Sequence, residues 1–332
     1  MRKRTLNKWK HWCGDIFLSL LLTFSAIIFR YLPPEALISI SKVLGKTAHI
    51  LLKKYRKRVI QNLSSAFGSE KNPDEIVKLA REVFFHFTLT PLETVFVYAN
   101  PLERFLLKIE IKGKGYLDLA LTQGKGVIAL GAHLGPFTLP GTRLSAEGYP
   151  FNLIINEGSF PRLWKKLKAF QQRLGQNPIP LKPVTASLKK SLNCLHRNEI
   201  LYLIADEQQR RGGVPVPFFG QTAFTPPGPA ILSLKTGAPI LPMFILREDG
   251  IRRTLVIGPP IQMERTPNIE KDIQTLTAKF TRAIEEMVRQ YPGQWSWLNR
   301  RWKLPPSPFP SPRGGEGGAQ GELDFEGKQK TL

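Results

Sequence analysis

Gly126-Val-Ile-Ala-Leu-Gly-Ala-His133-Leu-Gly-Pro-Phe-Thr138 is the stretch that decides the fold. Val127 to Gly131 is a short apolar run entered by a glycine, too short for a helix and suited to a strand buried on both faces. The strand points at His133. Gly135 then permits a close backbone approach, and Pro136 is tolerated in the first turn of a following helix. Open α/β sheets collect ligands beyond the carboxyl ends of their strands, so a histidine on this turn is a candidate catalytic residue. Taken alone, a histidine in a glycine-bounded loop is more often structural than catalytic.

Outward from this stretch, strands alternate with helices. Strands are expected at Phe151 to Ile155, Ile200 to Ala205, Ile240 to Leu246 and Thr254 to Ile257, and helices over Phe160 to Leu174, Ala186 to His196, Pro229 to Thr236 and Ile269 to Tyr291. Such alternation predicts an α/β fold with a mostly parallel central sheet flanked by helices. Upstream, Glu110 to Gly115 reads as a short strand and turn. Asp74 to Thr90 reads as a helix, with His86 a packed histidine among its aromatics.

The 332 residues carry 48 Lys+Arg against 26 Asp+Glu, a net charge of +22 that calls for an acidic partner. Residues 1–62 hold thirteen of the basic residues and only Asp15 and Glu35 as acids. That excess surrounds Ile16 to Phe29, fourteen uncharged, mostly apolar residues. The pattern favours a membrane surface over nucleic acid, for which no recognised motif appears. Arg30 follows directly without a small-residue cleavage site, which predicts an uncleaved membrane-anchoring helix rather than a removed signal. Fourteen residues fall short of the ~20 that span a bilayer upright, so a helix dipping into one leaflet fits both basic flanks. Glu35 to Lys54 reads as an amphipathic helix with Lys42, Lys46, His49 and Lys53 on one face. It is suited either to the headgroup region or to packing on the globular body. Three regions result: 1–57, anchor and amphipathic helix; 58–303, the α/β domain; 304–332, a Pro- and Gly-rich tail read as disordered. Two cysteines, Cys13 and Cys194, make no disulfide framework or metal spacing.

The strand Ile200 to Ala205 ends in Asp206-Glu-Gln-Gln-Arg210-Arg, so acidic and basic groups emerge from a strand end as His133 does. If the two strands are near neighbours, Asp206 and His133 share one edge of the sheet. The next loop, Gly212 to Gly220, carries Phe218 and Phe219, which either meet an apolar ligand such as an acyl chain or cap the core.

With these blocks in hand, the sequence resembles the lipid A biosynthesis acyltransferases, a branch of the lysophospholipid acyltransferase superfamily. The resemblance runs from Arg58-Val-Ile-Gln-Asn-Leu63 to Trp302. It is carried by Gly126 to Phe137, Asp206 to Gly220 with Ala223-Phe-Thr225 and Gly228-Pro-Ala230, Thr236-Gly-Ala-Pro239, and Gln294-Trp-Ser-Trp-Leu-Asn-Arg-Arg-Trp302. It implies a glycerolipid-acyltransferase-like fold, an inner-membrane location with the body facing the cytoplasm, and a lauroyl- or myristoyl-type O-acyltransferase. The acyl group would pass from acyl carrier protein, or acyl-CoA, to a hydroxyl of an anionic lipid A precursor or related glycolipid, with no metal and no cofactor. His133 suits the general base because its unperturbed pKa lies near neutrality. Backbone N–H groups at the start of the helix after His133 are candidate oxyanion donors. Gly135, Arg173, Arg210, Phe218 and Phe219 are the expected substrate contacts, Arg173 by matching a family position.

One position departs from the resemblance. The family pattern is His, four residues, then Glu or Asp, and Thr138 stands where the acid belongs. Asp206 is the first candidate to orient His133 instead, followed by Glu207 and Glu157. The alternatives are another lysolipid or sugar-lipid acceptor, or a silent relative that binds acyl lipid or carrier.

Overall fold

A computed structural model describes residues 2–101, 104–105, 109–158, 160–262 and 265–302; the expected tail at 304–332 lies outside them. Strand β2 (Val127–Gly131) is buried at every position. Side chains alternate across a strand, and here both sets are covered. Ile128 and Leu130 join one hydrophobic cluster, while Val127 and Ala129 join another on the opposite face. The same division holds for β5 (Ile200–Ile204) and β8 (Ile240–Arg247).

Among the described residues the main sheet has seven strands in the order β1-β9-β8-β2-β5-β3-β4, with β1 Ile109–Lys112, β3 Phe151–Ile155, β4 Gln176–Pro180 and β9 Arg253–Ile257. From β8 to β4 all neighbours are parallel, and β9 runs antiparallel to β8. Strand β4 went unrecognised because Pro178 and Pro180 argue against a ladder; it pairs only with β3, at the sheet edge, where proline is tolerated. The expected Gly212 to Gly220 loop is instead a hairpin, β6 (Val214–Phe218) and β7 (Gln221–Thr225).

Helix α4 (Pro73–Ala99) positions the site. Asn72 and Glu75 cap its start reciprocally. It runs past the expected end at Thr90, because Leu89, Phe96 and Val97 enter the second hydrophobic cluster after Ile76, Leu79, Val83 and Phe84 have entered the first. The helix thus passes from one layer to the other, and its midpoint, His86 to Thr94, contributes to the cavity beyond the strand ends.

The N-terminal helices are apolar on the outside. Helix α1 (Arg2–Phe29) contains Trp12–Phe29, long and apolar enough to cross a bilayer. Phe17, Leu20, Phe24 and Ile27 are exposed, while buried Asp15 accepts hydrogen bonds from the backbone N–H of Arg162 and Leu163. That carboxylate caps α7 (Pro161–Arg173) and ties α1 to the body. Helix α2 (Ala36–Leu51) is shorter than expected, breaking at Leu52 before α3 (Lys53–Phe67). It packs on α4 through Leu37, Ser41 and Gly45, and a Cβ at Gly45 would lie 2.8 Å from Phe85 Cα. Its larger apolar residues, Val43, Leu44, Ile50 and Leu51, face outward beside exposed Lys42 and Lys46.

Candidate active site

Strands β2 and β5 are hydrogen-bonded neighbours, with Gly131 opposite Ile204. His133 and Asp206 each lie two residues beyond that pair, so they emerge level with one another. The Asp206 carboxylate engages His133 twice: Oδ1 lies 2.8 Å from Nδ1, and Oδ2 accepts the His133 backbone N–H at 2.8 Å. Trp295 Nε1 donates to the same Oδ2 at 2.7 Å. Three contacts fix a side chain only 2% exposed, whereas the His133 ring retains 23% exposure. Burial alone would raise the Asp206 carboxyl, but the imidazole, the backbone N–H and the indole hold it below its ordinary value. Burial likewise opposes protonation of His133. The Asp206 charge and hydrogen bond, with Glu207 assisting, outweigh it and push His133 up to about 9.

With Nδ1 turned to Asp206, Nε2 is left for the cavity; Glu207 Oε1 lies 3.8 Å from it. The cavity holds about 560 Å³ and has mainly apolar walls: Leu22 from α1, Val83, Phe87, Val95 and Tyr98 from α4, Leu163 and Leu167 from α7, and Phe137. Polar groups are few and include His86, Thr90, Thr94, Thr138 and Gln294. Such a space suits a hydrocarbon chain whose polar end reaches His133.

The expected residues divide into two groups. Gly135 lines the cavity at φ +60°, where a Cβ would lie 2.1 Å from the Ile245 carbonyl oxygen, so glycine is required. Thr138 lines it too, but its hydroxyl bonds Thr94 Oγ1 at 2.9 Å rather than His133. Arg173 stands outside the cavity wall, donating to the Tyr98 carbonyl at 2.9 Å and lying over the Tyr98 and Phe170 rings. Arg210 is an exposed turn residue away from the lining, and Glu157 does not line it either.

Phe218 and Phe219 correct the idea of an acyl contact. Both are buried, packed against Phe67, Trp295, Trp297 and Trp302. The Phe219-Gly220 turn, with both φ positive, drives the pair inward. The helix expected to supply oxyanion donors starts later than the sequence suggests. Helix α6 begins only at Pro140, after a turn in which the Gly135 N–H goes to the Gln294 carbonyl and the Leu139 N–H to the Pro136 carbonyl.

Three features escaped the sequence reading. Trp295 and Gln294 lie in a block quoted for the resemblance but carried no assigned role. His86 lines the cavity rather than simply packing among aromatics. Behind it lies a buried ionic cluster in which Glu93 receives Arg247 from the end of β8 and Arg253 from the start of β9; all three side chains are 3% exposed or less.

A buried carboxylate behind an imidazole, opening on an apolar cavity beside an outward apolar helix, is an arrangement suited to group transfer on lipid-like substrates. The family model for bacterial lipid A biosynthesis acyltransferases matches residues 3–304, and the chain belongs to that family. It is an acyltransferase. The chain is 26% identical over 276 residues to the lipid A biosynthesis lauroyltransferase of Escherichia coli (strain K12), covering 81% of this chain and 85% of that one. It is 25% identical over 284 residues to the lipid A biosynthesis palmitoleoyltransferase of the same organism, with coverages of 83% and 87%. A phosphatidylinositol mannoside acyltransferase of Mycobacterium tuberculosis is 26% identical over 196 residues, 58% of this chain and 59% of that relative.

Proposed function

We propose that the protein transfers a fatty acyl group from a thioester, carried by acyl carrier protein or coenzyme A, to a hydroxyl of a lipid A precursor or related anionic glycolipid, with His133 as general base. The reading rests on one observation above the rest: Nδ1 of His133 is engaged by Asp206 at 2.8 Å, so Nε2 is the nitrogen presented to the cavity. Asp206 holds the ring proton on Nδ1. Nε2 takes the proton from the acceptor hydroxyl as its oxygen forms a bond to the thioester carbonyl carbon. The tetrahedral intermediate then collapses, the C–S bond breaks, and the proton on Nε2 passes to the departing thiolate. Asp206 supplies the charge that Thr138 lacks, which argues against a silent relative.

His133 pushed to about 9 is mostly imidazolium at neutral pH, with roughly 1% in the basic form. The free enzyme therefore gains activity as pH rises. The outward apolar faces of α1 and α2, with Lys42 and Lys46 beside them, support a membrane seat for the body, which we place at the cytoplasmic face of the inner membrane. Arg173 and Arg210, exposed outside the cavity, are left as candidate contacts for the anionic carrier or acceptor rather than for the acyl chain.

Transfer of labelled acyl groups by the full-length protein in detergent tests the reading, with carrier-protein and CoA thioesters compared as donors. His133→Ala is expected to lower transfer by about 10³-fold or more. Persistence of wild-type rates in this variant would remove His133 as base. Transfer to a mannosylated phosphatidylinositol but not to a lipid A precursor would move the acceptor to the other glycolipid named among the relatives.

A further inference from the structure

Several backbone groups near His133 are not available as donors, and two of the turn's residues, Pro136 and Pro140, have no N–H at all. The His133 N–H goes to Asp206, that of Gly135 to Gln294 and that of Leu139 to Pro136. Yet attack on a thioester carbonyl places negative charge on its oxygen, and that charge needs a donor.

His86 is built to be one. Its Nδ1 lies 3.3 Å from Nη1 of Arg247. A guanidinium has only donors, so Nδ1 must accept and carries no proton; the proton of the neutral ring is on Nε2. His86 lines the cavity, and with Nδ1 engaged by buried Arg247 its Nε2–H is the ring proton left to serve there. Arg247 is itself immobilised, donating through Nε to Glu93 Oε2 at 3.1 Å and through Nη2 to Thr90 Oγ1 at 2.7 Å. Arg253 binds the same carboxylate. Two guanidiniums against one carboxylate leave a buried excess of one positive charge beside the cavity, a field that favours negative charge within it. Burial and then the Arg247 and Arg253 charges lower the His86 pKa to about 3, so no proton is available to convert the ring to a cation under working conditions.

We propose that His86 is a second catalytic residue, whose Nε2–H donates a hydrogen bond to the thioester carbonyl oxygen as it becomes an oxyanion, while His133 deprotonates the hydroxyl. Resting on the reading that transfer occurs beside His133, the inference assigns His86 no bond making or breaking: its proton stays on Nε2 throughout.

Two measurements on the full-length protein in detergent test it. The first is nitrogen NMR of the histidine rings, five in the chain, with His86 assigned by its disappearance in His86→Gln. The expected result is a ring protonated on Nε2 and uncharged from pH 5 to 8; titration near 6.5 or a proton on Nδ1 overturns the proposal. The second is transfer kinetics. His86→Phe keeps a planar ring without a donor and is expected to lose about 10²- to 10³-fold in kcat with KM nearly unchanged. His86→Gln places an amide N–H near the lost Nε2–H and is expected to recover most of that loss. A folded His86→Phe variant with kcat near that of wild type, or a loss confined to KM, overturns the role. If His133→Ala also stays active, the failure lies in the preceding reading of the site; if His133→Ala is inactive, it lies in His86 alone.

Discussion

His133 at the end of β2 and His86 at the middle of α4 line one cavity, but the first has a carboxylate at its Nδ1 and the second a guanidinium. Burial pushes both rings toward neutrality. At His133 the opposing charge of Asp206 wins and the pKa rises to about 9; at His86 the like charges of Arg247 and Arg253 add to burial and it falls to about 3. On the reading proposed above, the same side chain is a proton carrier in one place and a fixed donor in the other. The group behind the ring sets the direction of its pKa shift, and each backing group is among the most buried charged side chains of the described chain.

Asp206→Asn should break the contrast most visibly. Asparagine keeps the shape but not the charge, and neutralising the orienting aspartate of a serine protease costs about 10⁴ in rate. A comparable loss, about 10³- to 10⁴-fold in kcat/KM, is expected here. The wild-type profile of kcat/KM should rise with pH up to about 9, because the neutral imidazole is the active form. In Asp206→Asn the ring retains mainly its burial and the limb should move down by more than one pH unit; an unmoved limb would detach it from this pair. Linkage gives the same pair a stability signature. A His133 pKa raised above its unfolded value contributes stability that is complete below about 6.5 and lost as pH rises through about 9. The depressed Asp206 carboxyl contributes stability present above its ordinary value near 3.8 and lost on acidification.

On the other side of the comparison, Glu93→Gln should be felt first as stability. Burial raises the Glu93 carboxyl, yet Arg247 and Arg253 hold it below its ordinary value, so the native cluster is ionic. Removing its charge strands two buried guanidiniums, at a cost of about 3–5 kcal/mol. Denaturant unfolding in detergent measures it. A cost under about 1 kcal/mol would mean that water already screens the cluster, and the field assigned to His86 would then be weak.

How much of this was legible in the sequence follows from distance along the chain. The strands before His133 and before Asp206 are local patterns, each a five-residue apolar run, and both lie where the sequence predicts them. That His133 and Asp206 pair depends on β5 lying beside β2 rather than β3 doing so, a topology carried by the whole sheet. Asp206 was therefore a conditional candidate. The cluster around Glu93 joins residues more than 150 positions apart, and nothing in the run Thr90-Pro-Leu-Glu-Thr-Val marks its glutamate as buried. Phe218 and Phe219 were ambiguous for a related reason: an aromatic pair on a glycine-shaped loop serves a ligand or a core equally well until its tryptophan neighbours are placed. Pro91 masked the second half of α4, whose buried apolar positions Leu89, Phe96 and Val97 join the cluster opposite to that of Ile76, Leu79, Val83 and Phe84.

Thr138 offers the smallest effect and the sharpest check on which acid matters. An imidazole has two ring nitrogens; Asp206 occupies one, and the other must remain open to the hydroxyl. A carboxylate placed at 138 thus has no free nitrogen to orient, and one that reached Nε2 would compete with the acceptor. The threonine hydroxyl contributes a single exposed bond to Thr94, so Thr138→Ala is expected to change stability by no more than about 0.5 kcal/mol and kcat by no more than about threefold. Thr138→Glu, although it restores the family pattern in sequence, is expected to leave the rate unchanged or lower it. A tenfold gain in the glutamate variant, measured in the same transfer reaction, would show that His133 lacks an orienting acid as it stands and that the Asp206 contact is structural.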